Sequence, residues 1–427
     1  MDEGIVHLDS PVEPWSVHLE LQLRGALDET RLRDAVGVAL DRHPRARARL
    51  VTGSWPHRRF EWEITPTPDL DPFAVVDSAD DDALARARED VVSRPLLLEA
   101  SPPLRLRLVR HPRGDTLLLN LHHAAGDAMA GLVFLQSVAR AYAGRPEVVG
   151  GAVVAAPSGA GLRRVLRELL EAARPSASIA PDGGRDGPGY ALRLVRVDAA
   201  RTRALRDRAG NGTTVNDLLV AALHLTVDRW NAEHGRPARR VSILVPVNLR
   251  PRSRWREGFA NVTFMLPVAT LPRQRISAAG AVGAVRRRTG AIKEDRLPAA
   301  VVGLLRRLEP LPLAARRRIA RLAARGRRVP TTLLSNLGRL EHDLDFGPGV
   351  GAPVHVWFSP PAKIPLGLAV GAVTVDEELH LAFRVRHPLL GDEALATFAA
   401  YYQAALDGLV AADDRRVGRA VRRLRAA

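Results

Sequence analysis

The stretch Leu117-Leu-Leu-Asn-Leu-His122-His123-Ala-Ala-Gly-Asp127-Ala-Met constrains this chain more than any other. An apolar, strand-like run from Thr116 to Leu121 leads into it, and beyond it Ala128, Leu132, Leu135, Ala139 and Tyr142 recur at helical spacing. A strand is therefore expected to end at a histidine pair, and a helix to open at Asp127. Imidazole has the ordinary pKa closest to neutrality, so a histidine here can take up a proton and return it. It can equally be a buried structural residue. Asp127 has two jobs open to it, capping the helix N-terminus or pairing with a distant cation.

The 427 residues suit two domains of roughly 150 to 250 residues each. Hydrophobic residues make up 46% and aromatics only 4%, so the cores must be mostly Leu, Val and Ala. Absence of cysteine excludes disulfides, thiolate metal sites and a cysteine nucleophile, and fits a reducing cytosol. The acidic start, Met1-Asp-Glu-Gly-Ile, lacks the layout of a signal peptide, and no apolar run is long enough to span a bilayer. A cytoplasmic location is expected. The net charge of +16 would suit nucleic acid, an anionic membrane or an acidic partner. Yet Lys293 and Lys363 are the only lysines, and zinc-finger spacing, RNP-like motifs and basic–aromatic interleaving are all missing. An anionic cofactor or an acidic carrier protein is the better fit, and no nucleic acid is expected.

Read in order, Val17 to Arg24 alternates as a half-buried strand, and Asp28 starts a helix with Leu32, Val36, Ala39 and Leu40 on its apolar face. Pro44 stops that helix at Arg42-His43, where His43 reads as a packed turn residue. Phe60 to Ile64 alternates again, and Asp77 to Ser93 reads as a surface helix of solvated aspartate and arginine. Pro103 to Val109 and Thr116 to Leu121 form a hairpin, with Pro112, Arg113 and Gly114 at the turn. Gly144 to Gly189 is turn-rich, with a short helix from Leu162 to Ala173, and is the best linker. A boundary near Pro181 divides the chain into an N-terminal lobe, 1–180, and a C-terminal lobe, 181–427.

The second lobe opens with a strand, Ala191 to Val197, and a helix from Leu218 to Trp230 for which Asn216 is placed as a cap. Val241 to Val247 and Asn261 to Val268 read as strands. A basic helical region follows from Ala299 to Arg328, including Arg306, Arg307, Arg316, Arg317, Arg318, Arg321 and Arg325. It reads as a solvated face, with docking onto an anionic surface as the alternative. Further strands are expected at Leu333 to Gly338, Leu366 to Val373 and Leu379 to Val385, and a closing helix at Glu393 to Leu409. Both halves mix strands and helices, which suggests two α/β lobes.

The G-x-S-x-G elbow, the Walker loop and the H-E-x-x-H zinc site are all missing. Gly347-Pro-Gly349-Val-Gly351 joins no strand to a helix, so a nucleotide reading is weak, and Glu233-His234-Gly235-Arg236 reads as a surface loop. His122 and His123 are adjacent, point apart, and cannot easily share a metal with Asp127 alone, so no metal is expected. What remains is a histidine base working without a protein nucleophile. Such a site suits direct attack by a bound hydroxyl or amine on an activated acyl group, usually a thioester.

His122-His123-Ala-Ala-Gly-Asp127-Ala resembles the HHxxxDG motif of the condensation-domain and acyltransferase superfamily. That superfamily takes in nonribosomal peptide condensation domains, PapA-type acyltransferases, wax ester synthases and plant BAHD acyltransferases. Arg42-His43-Pro44 is similar to its early RHP turn, and Pro103-Leu104-Arg105 to the segment leading into the motif strand. Asn216-Asp217 is similar to the ND motif of the wax-synthase branch. Asn248-Leu-Arg250-Pro-Arg252, with Gly258-Phe-Ala-Asn261, resembles the arginine-bearing strand and its turn. Ser335-Asn336-Leu-Gly338 resembles the SN motif, and Asp345-Phe346-Gly347-Pro-Gly349 the structural DFGWG.

The resemblance implies two chloramphenicol-acetyltransferase-like lobes in a V, with an active-site tunnel between them. Carried over by position, His123 is the catalytic base and His122 a buried support. Asp127 pairs with Arg250, or failing that Arg252, to hold the motif loop. Ser335, Asn336 and Asn216 are candidates to line the tunnel or orient the oxyanion. The implied donor is a phosphopantetheine thioester on CoA or on an acidic acyl or peptidyl carrier protein, with a small-molecule acceptor and no permanently bound cofactor. A non-catalytic docking protein of the same fold and a membrane-surface wax ester or diacylglycerol synthase are the alternatives. Three departures matter. Ala128 replaces the motif glycine, and activity is expected to survive that change. Pro103-Leu104-Arg105 and Ser335-Asn336-Leu-Gly-Arg-Leu fall short of the wax-synthase signatures, tilting toward PapA-like or free-standing condensation enzymes. Glu233-His-Gly-Arg mimics an epimerisation segment but lies before the Val241 strand, not at its end.

Overall fold

In the computed structural model, residues 2–52, 60–146, 170–171, 174–210, 212–250, 258–294, 310–323, 329–340, 344–364 and 366–425 are described. The first half runs α1 (Asp2–Leu8), β1 (Ser16–Gln22), α2 (Glu29–Arg42), β2 (Ala48–Thr52), β3 (Phe60–Ile64), β4 (Phe73–Asp77), α3 (Asp81–Ser93), β5 (Leu104–Arg110), β6 (Thr116–His122) and α4 (Ala128–Tyr142). The second runs β7 (Tyr190–Val197), α5 (Ala199–Arg208), α6 (Val215–Glu233), β8 (Val241–Asn248), β9 (Thr263–Thr270), α7 (Ala278–Glu294), α8 (Leu313–Ala323), β10 (Thr332–Arg339), β11 (His355–Ser359), β12 (Leu368–Val375), β13 (Glu378–Arg386) and α9 (Asp392–Arg425).

Two large sheets carry the molecule. The first has the order β11-β1-β6-β5-β4, the second β7-β13-β12-β10-β8-β9. In the first, β6 is buried along its whole length, as its uninterrupted apolar run requires. α4 covers this sheet, and α2 packs beside α4 with Leu32, Ala35, Val36, Ala39 and Leu40 buried. Asp28 caps α2 by accepting from the Arg31 N–H. The second sheet is covered by α6, α7 and α9 around Trp230, Phe383, Phe398 and Tyr402.

Strand β11 crosses the division expected near Pro181. It pairs antiparallel with β1 of the first sheet, Leu19 facing Phe358, and also lies against β12 and β13 of the second. Close approach over β12 needs Gly371, because a Cβ there would come within 1.8 Å of the Phe358 carbonyl oxygen. Phe346, Val356, Phe358, Val373 and Val375 accordingly sit in the same core as Leu19 and Leu119. The two sheets are thus not the two halves of the sequence.

Several local expectations change. Asp77 ends β4, and α3 starts only at Asp81 because Asp80 caps it, accepting from the Ala83 N–H. Nor is that helix purely solvated: Arg88 makes two hydrogen bonds, of 2.8 and 2.6 Å, to the fully buried carboxylate of Glu20 on β1. Thr214 caps α6 in place of Asn216, in a capping box closed by Asp217. Residues 147–169 and 172–173 of the expected linker, including most of its helix, lie outside the described residues. The part from Ser178 to Ala180 is not loose. The Asn231 side chain accepts from the Ala180 N–H and donates to the Ser178 carbonyl, and Trp230 donates to the Ala180 carbonyl. Of the basic region, Arg306, Arg307 and Arg325 lie outside the described residues, while Arg316 reaches Glu3 on α1. No helix among the described residues is long and apolar enough to cross a membrane.

Burial opposes the charge on Glu20, and Arg88 overcomes it, holding the carboxyl down to about 2. Removing one partner of a buried pair strands the other, so Arg88→Ala should destabilise the protein by about 3 to 5 kcal/mol at pH 7 in urea unfolding. Because the folded pKa is depressed, Glu20's contribution is complete above the ordinary value of 4.5 and fades as pH falls toward 2. The gap between wild type and Arg88→Ala should narrow over that window.

Candidate active site

Asp127 performs both of the jobs that the sequence left open. Its Oδ1 accepts from the Ala130 N–H at 3.0 Å and caps α4. The carboxylate also pairs with both terminal nitrogens of Arg250, at 2.7 and 2.9 Å. Oδ2 further accepts from the Val262 N–H at 3.0 Å and the Thr263 hydroxyl at 2.8 Å. Burial opposes this charge, but the Arg250 guanidinium and the surrounding donors hold the carboxyl below the ordinary carboxylate range. Arg250 Nη2 also donates to the Ala260 carbonyl at 2.7 Å, while Asn248 accepts from its backbone N–H at 3.0 Å. Arg252, the second choice, lies outside the described residues.

The two histidines are held differently. The ring Nε2 of His122, which is buried, lies 3.1 Å from Asp9, and its Nδ1 accepts from the Ala124 N–H at 3.1 Å. Asp9 also accepts from the Trp15 N–H, tying the segment after α1 to the motif. His123 is held through its backbone: its N–H donates to the Trp15 carbonyl at 2.8 Å, and its own carbonyl accepts from the Asn261 side chain at 3.0 Å. No other side chain among the described residues holds its Nδ1. Burial lowers the His123 pKa from the ordinary 6.5, which favours the neutral ring at pH 7, with a lone pair free to accept a proton. The loop from His123 to Asp127 depends on Gly126, where a Cβ would come within 2.8 Å of Ala130 and 3.0 Å of Leu121.

His123 faces a narrow cleft of about 70 Å³. The loop and the start of α4 supply His123, Ala128 and Met129; β8 and β9 supply Asn248 and Thr263; β10 supplies Ser335 and Asn336. Phe358 and Pro360, at the end of the crossing strand β11, close it. Ser335 and Asn336 therefore line the same cleft as His123, whereas Asn216 does not. Asn336 accepts from the Gly338 N–H through Oδ1, which turns its amide oxygen toward its own strand end. Ala128 sits at the cleft wall, so the methyl where the motif carries glycine narrows it.

His43 lies apart from this chemistry. It is half-buried, its Nε2 2.8 Å from the Ser137 hydroxyl and its ring against Phe134 and Phe259. Phe259 comes from the Gly258 turn of the second half and anchors that turn in the first core, next to the arginine that grips Asp127. Phe346 of the DFGPG segment is buried edge-on to Tyr142 and is structural. Asp9, Trp15, Asn261 and Thr263 were given no role from the sequence. Their bonds to the motif span 108 to 138 residues or use backbone atoms, so only the turn residues Gly258 to Asn261 left any local signal.

Arg250→Ala should cost about 3 to 5 kcal/mol in urea unfolding, and Asp127→Ala a comparable amount. The double variant should lose much less than the sum, because each single change strands a buried charge that the double change removes. An additive pair of losses would show the two groups to be independent.

Comparison with known proteins bears on this arrangement. Residues 7–148 match the family model described as Condensation domain. Two Mycobacterium tuberculosis sequences, uncharacterized protein MT2362 of strain CDC 1551 / Oshkosh and uncharacterized protein Rv2305 of strain ATCC 25618 / H37Rv, are each 35% identical over 421 residues, covering 94% of this chain and 97% of theirs. Among solved structures, the first condensation domain of the CDA synthetase superposes with a TM-score of 0.70 at 17% identity, covering 96% of this chain and 95% of that one. A mutant of the starter condensation domain of rhizomide synthetase RzmA, in complex with C8-CoA, gives a TM-score of 0.67 at 17% identity over 96% and 92%. At such identity these two establish the fold, two chloramphenicol-acetyltransferase-like lobes, while the match over the motif and the near full-length relatives go further: the chain belongs to the condensation-domain family.

Proposed function

We propose that this chain is an acyltransferase that moves an acyl group from a phosphopantetheine thioester to a hydroxyl or amine on a small molecule, making an ester or an amide in specialised metabolism. The observation that carries this reading is His123, a buried and neutral imidazole at the wall of a cleft between elements of both sheets. Asp127, the other ionisable group lining the cleft, is consumed by Arg250 and so is no rival base.

In the proposed reaction His123 takes the proton from the attacking O–H or N–H as that atom adds to the thioester carbon. The carbonyl becomes a tetrahedral oxyanion, for which Ser335 and Asn336, which line the same cleft, are the candidate donors. Collapse breaks the C–S bond, and His123 returns its proton to the departing thiolate. Asp127 and Arg250 hold the loop that aims His123, and His122 supports it. The cleft is narrow, about 70 Å³, which suits an acyl group delivered on a slender arm. A phosphopantetheine arm has that shape. The C8-CoA complex of the RzmA domain shows that a relative of this fold takes such a thioester, and the net charge of +16 suits either CoA or an acidic carrier protein. Ser335-Asn336-Leu-Gly338 and the tilt away from wax-synthase signatures favour a free-standing enzyme of the PapA or condensation type.

The test offers acyl-loaded carrier proteins and acyl-CoAs, with panels of hydroxyl and amine acceptors, and follows acyl loss and product by intact mass. His123→Ala should reduce turnover by about 10²- to 10⁴-fold. Equal turnover in the two proteins would overturn the base assignment, and no acyl loss from any donor would favour a docking role. Since burial lowers the His123 pKa, the rate should be level near neutral pH and fall only below the ordinary 6.5, as the base becomes protonated.

A further inference from the structure

The crossing strand β11 carries a second histidine site, remote in sequence from the motif. His355 on β11 and Glu378 and His380 on β13 bring one ligand atom each to within 4.8 Å of one another, the one such cluster among the described residues outside any described function. Glu378 and His380 are two apart on one strand, so both side chains leave the same face. The His355 Nδ1 and His380 Nε2 atoms are 3.0 Å apart and aimed at each other.

We propose that His355, Glu378 and His380 form a binding site for a divalent transition-metal ion, zinc above all, that fastens β11 of the first sheet to β13 of the second.

Three features support the assignment. Two imidazoles and one carboxylate are a donor set suited to Zn²⁺ with a fourth position left to water. Two nitrogens bonded to a tetrahedral Zn²⁺ at about 2.0 to 2.1 Å stand about 3.3 Å apart, close to the separation already present. The ion would replace the single proton that the two facing nitrogens now share. The surroundings also hold the ligands in place while leaving a way in. Trp357 meets the His380 ring at 90° with centroids 4.7 Å apart, fixing its plane, while His355 and Glu378 are only half-buried. The competing partner is Arg196, whose Nε is 3.6 Å from Glu378; its side chain is 55% exposed and can swing into solvent. Because β11 pairs with β1 and lies against β13, an ion here links the two sheets at the start of the strand whose far end closes the His123 cleft. The ligands span 25 residues of sequence with no motif spacing, so no local sequence signal marks them.

Metal-stripped full-length protein titrated with Zn²⁺ by calorimetry, and loaded with Co²⁺ for its visible spectrum, tests this. Wild type should bind one Zn²⁺ per chain and unfold at a higher temperature with it than without it. His355→Asn, at the more exposed ligand, and His380→Gln should each weaken binding by at least about a hundredfold, more than the 10- to 100-fold typical of outer-shell losses. Both should also lose the thermal shift. Glu378→Gln should bind about tenfold or more weakly and change the Co²⁺ spectrum, whereas His123→Ala should bind as wild type does. Unfolding temperatures of the metal-free variants separate lost ligands from lost fold. Equal zinc uptake by wild type, His355→Asn and Glu378→Gln, or loss of binding in His123→Ala, would overturn the site.

Discussion

The buried pair of Asp127 and Arg250 is the contact on which the candidate site depends. One carboxylate accepts from five donors: both terminal nitrogens of Arg250, the N–H groups of Ala130 and Val262, and the Thr263 hydroxyl. Together these fix the start of α4, the loop carrying His123, and the turn that leads into β9. A buried ion pair of this kind adds little net stability over an apolar replacement, but it tolerates few other geometries. Its value here is register: it sets one half of the chain against the other at the point where His123 faces its cleft.

A second link between the sheets is made by strand β11. It completes the first sheet while belonging in sequence to the second half, and it brings Phe358 and Pro360 to the cleft. Around it the contact between sheets is unusually polar for a buried surface. Arg384 on β13, fully buried, donates to the Ser16 carbonyl on β1 and the Val92 carbonyl on α3, and its guanidinium lies over the Tyr190 ring at 4.1 Å. Glu20 and Arg88 pair nearby between β1 and α3. Polar groups that must be satisfied by particular partners allow fewer ways of docking two sheets than an apolar seam would. The same polar neighbourhood supplies the histidines and carboxylate assigned to a metal.

Much of this was legible beforehand. Hydrophobic alternation and helical spacing located β1, β5, β6, α2 and α4, because those patterns record which face of a local element is buried. Capping was less legible: Asp28 caps α2 where its helix was expected to start, while Thr214, not Asn216, caps α6, since two polar residues separated by a single residue offer the same local signal and the turn geometry chooses between them. Short strands such as β4 and β11 escaped notice, because five residues that grade from buried to exposed, as in β4, or are almost wholly buried, as in β11, show no alternation.

The sequence by itself determined that a strand ends in a histidine pair, that Asp127 opens a helix, and that no cysteine chemistry is available, because each is a property of neighbouring residues. It also offered Arg250 as Asp127's partner through resemblance, without any local pattern to require it. Only the tertiary structure decided that Asp127 both caps and pairs, that Asn261 and Trp15 hold the backbone of His123, that Ser335 and Asn336 stand in its cleft while Asn216 does not, and that β11 joins the first sheet. The physical reason is range. Residues a hundred or more positions apart share no periodicity, cap or turn, and meet only when two independently covered sheets are brought together.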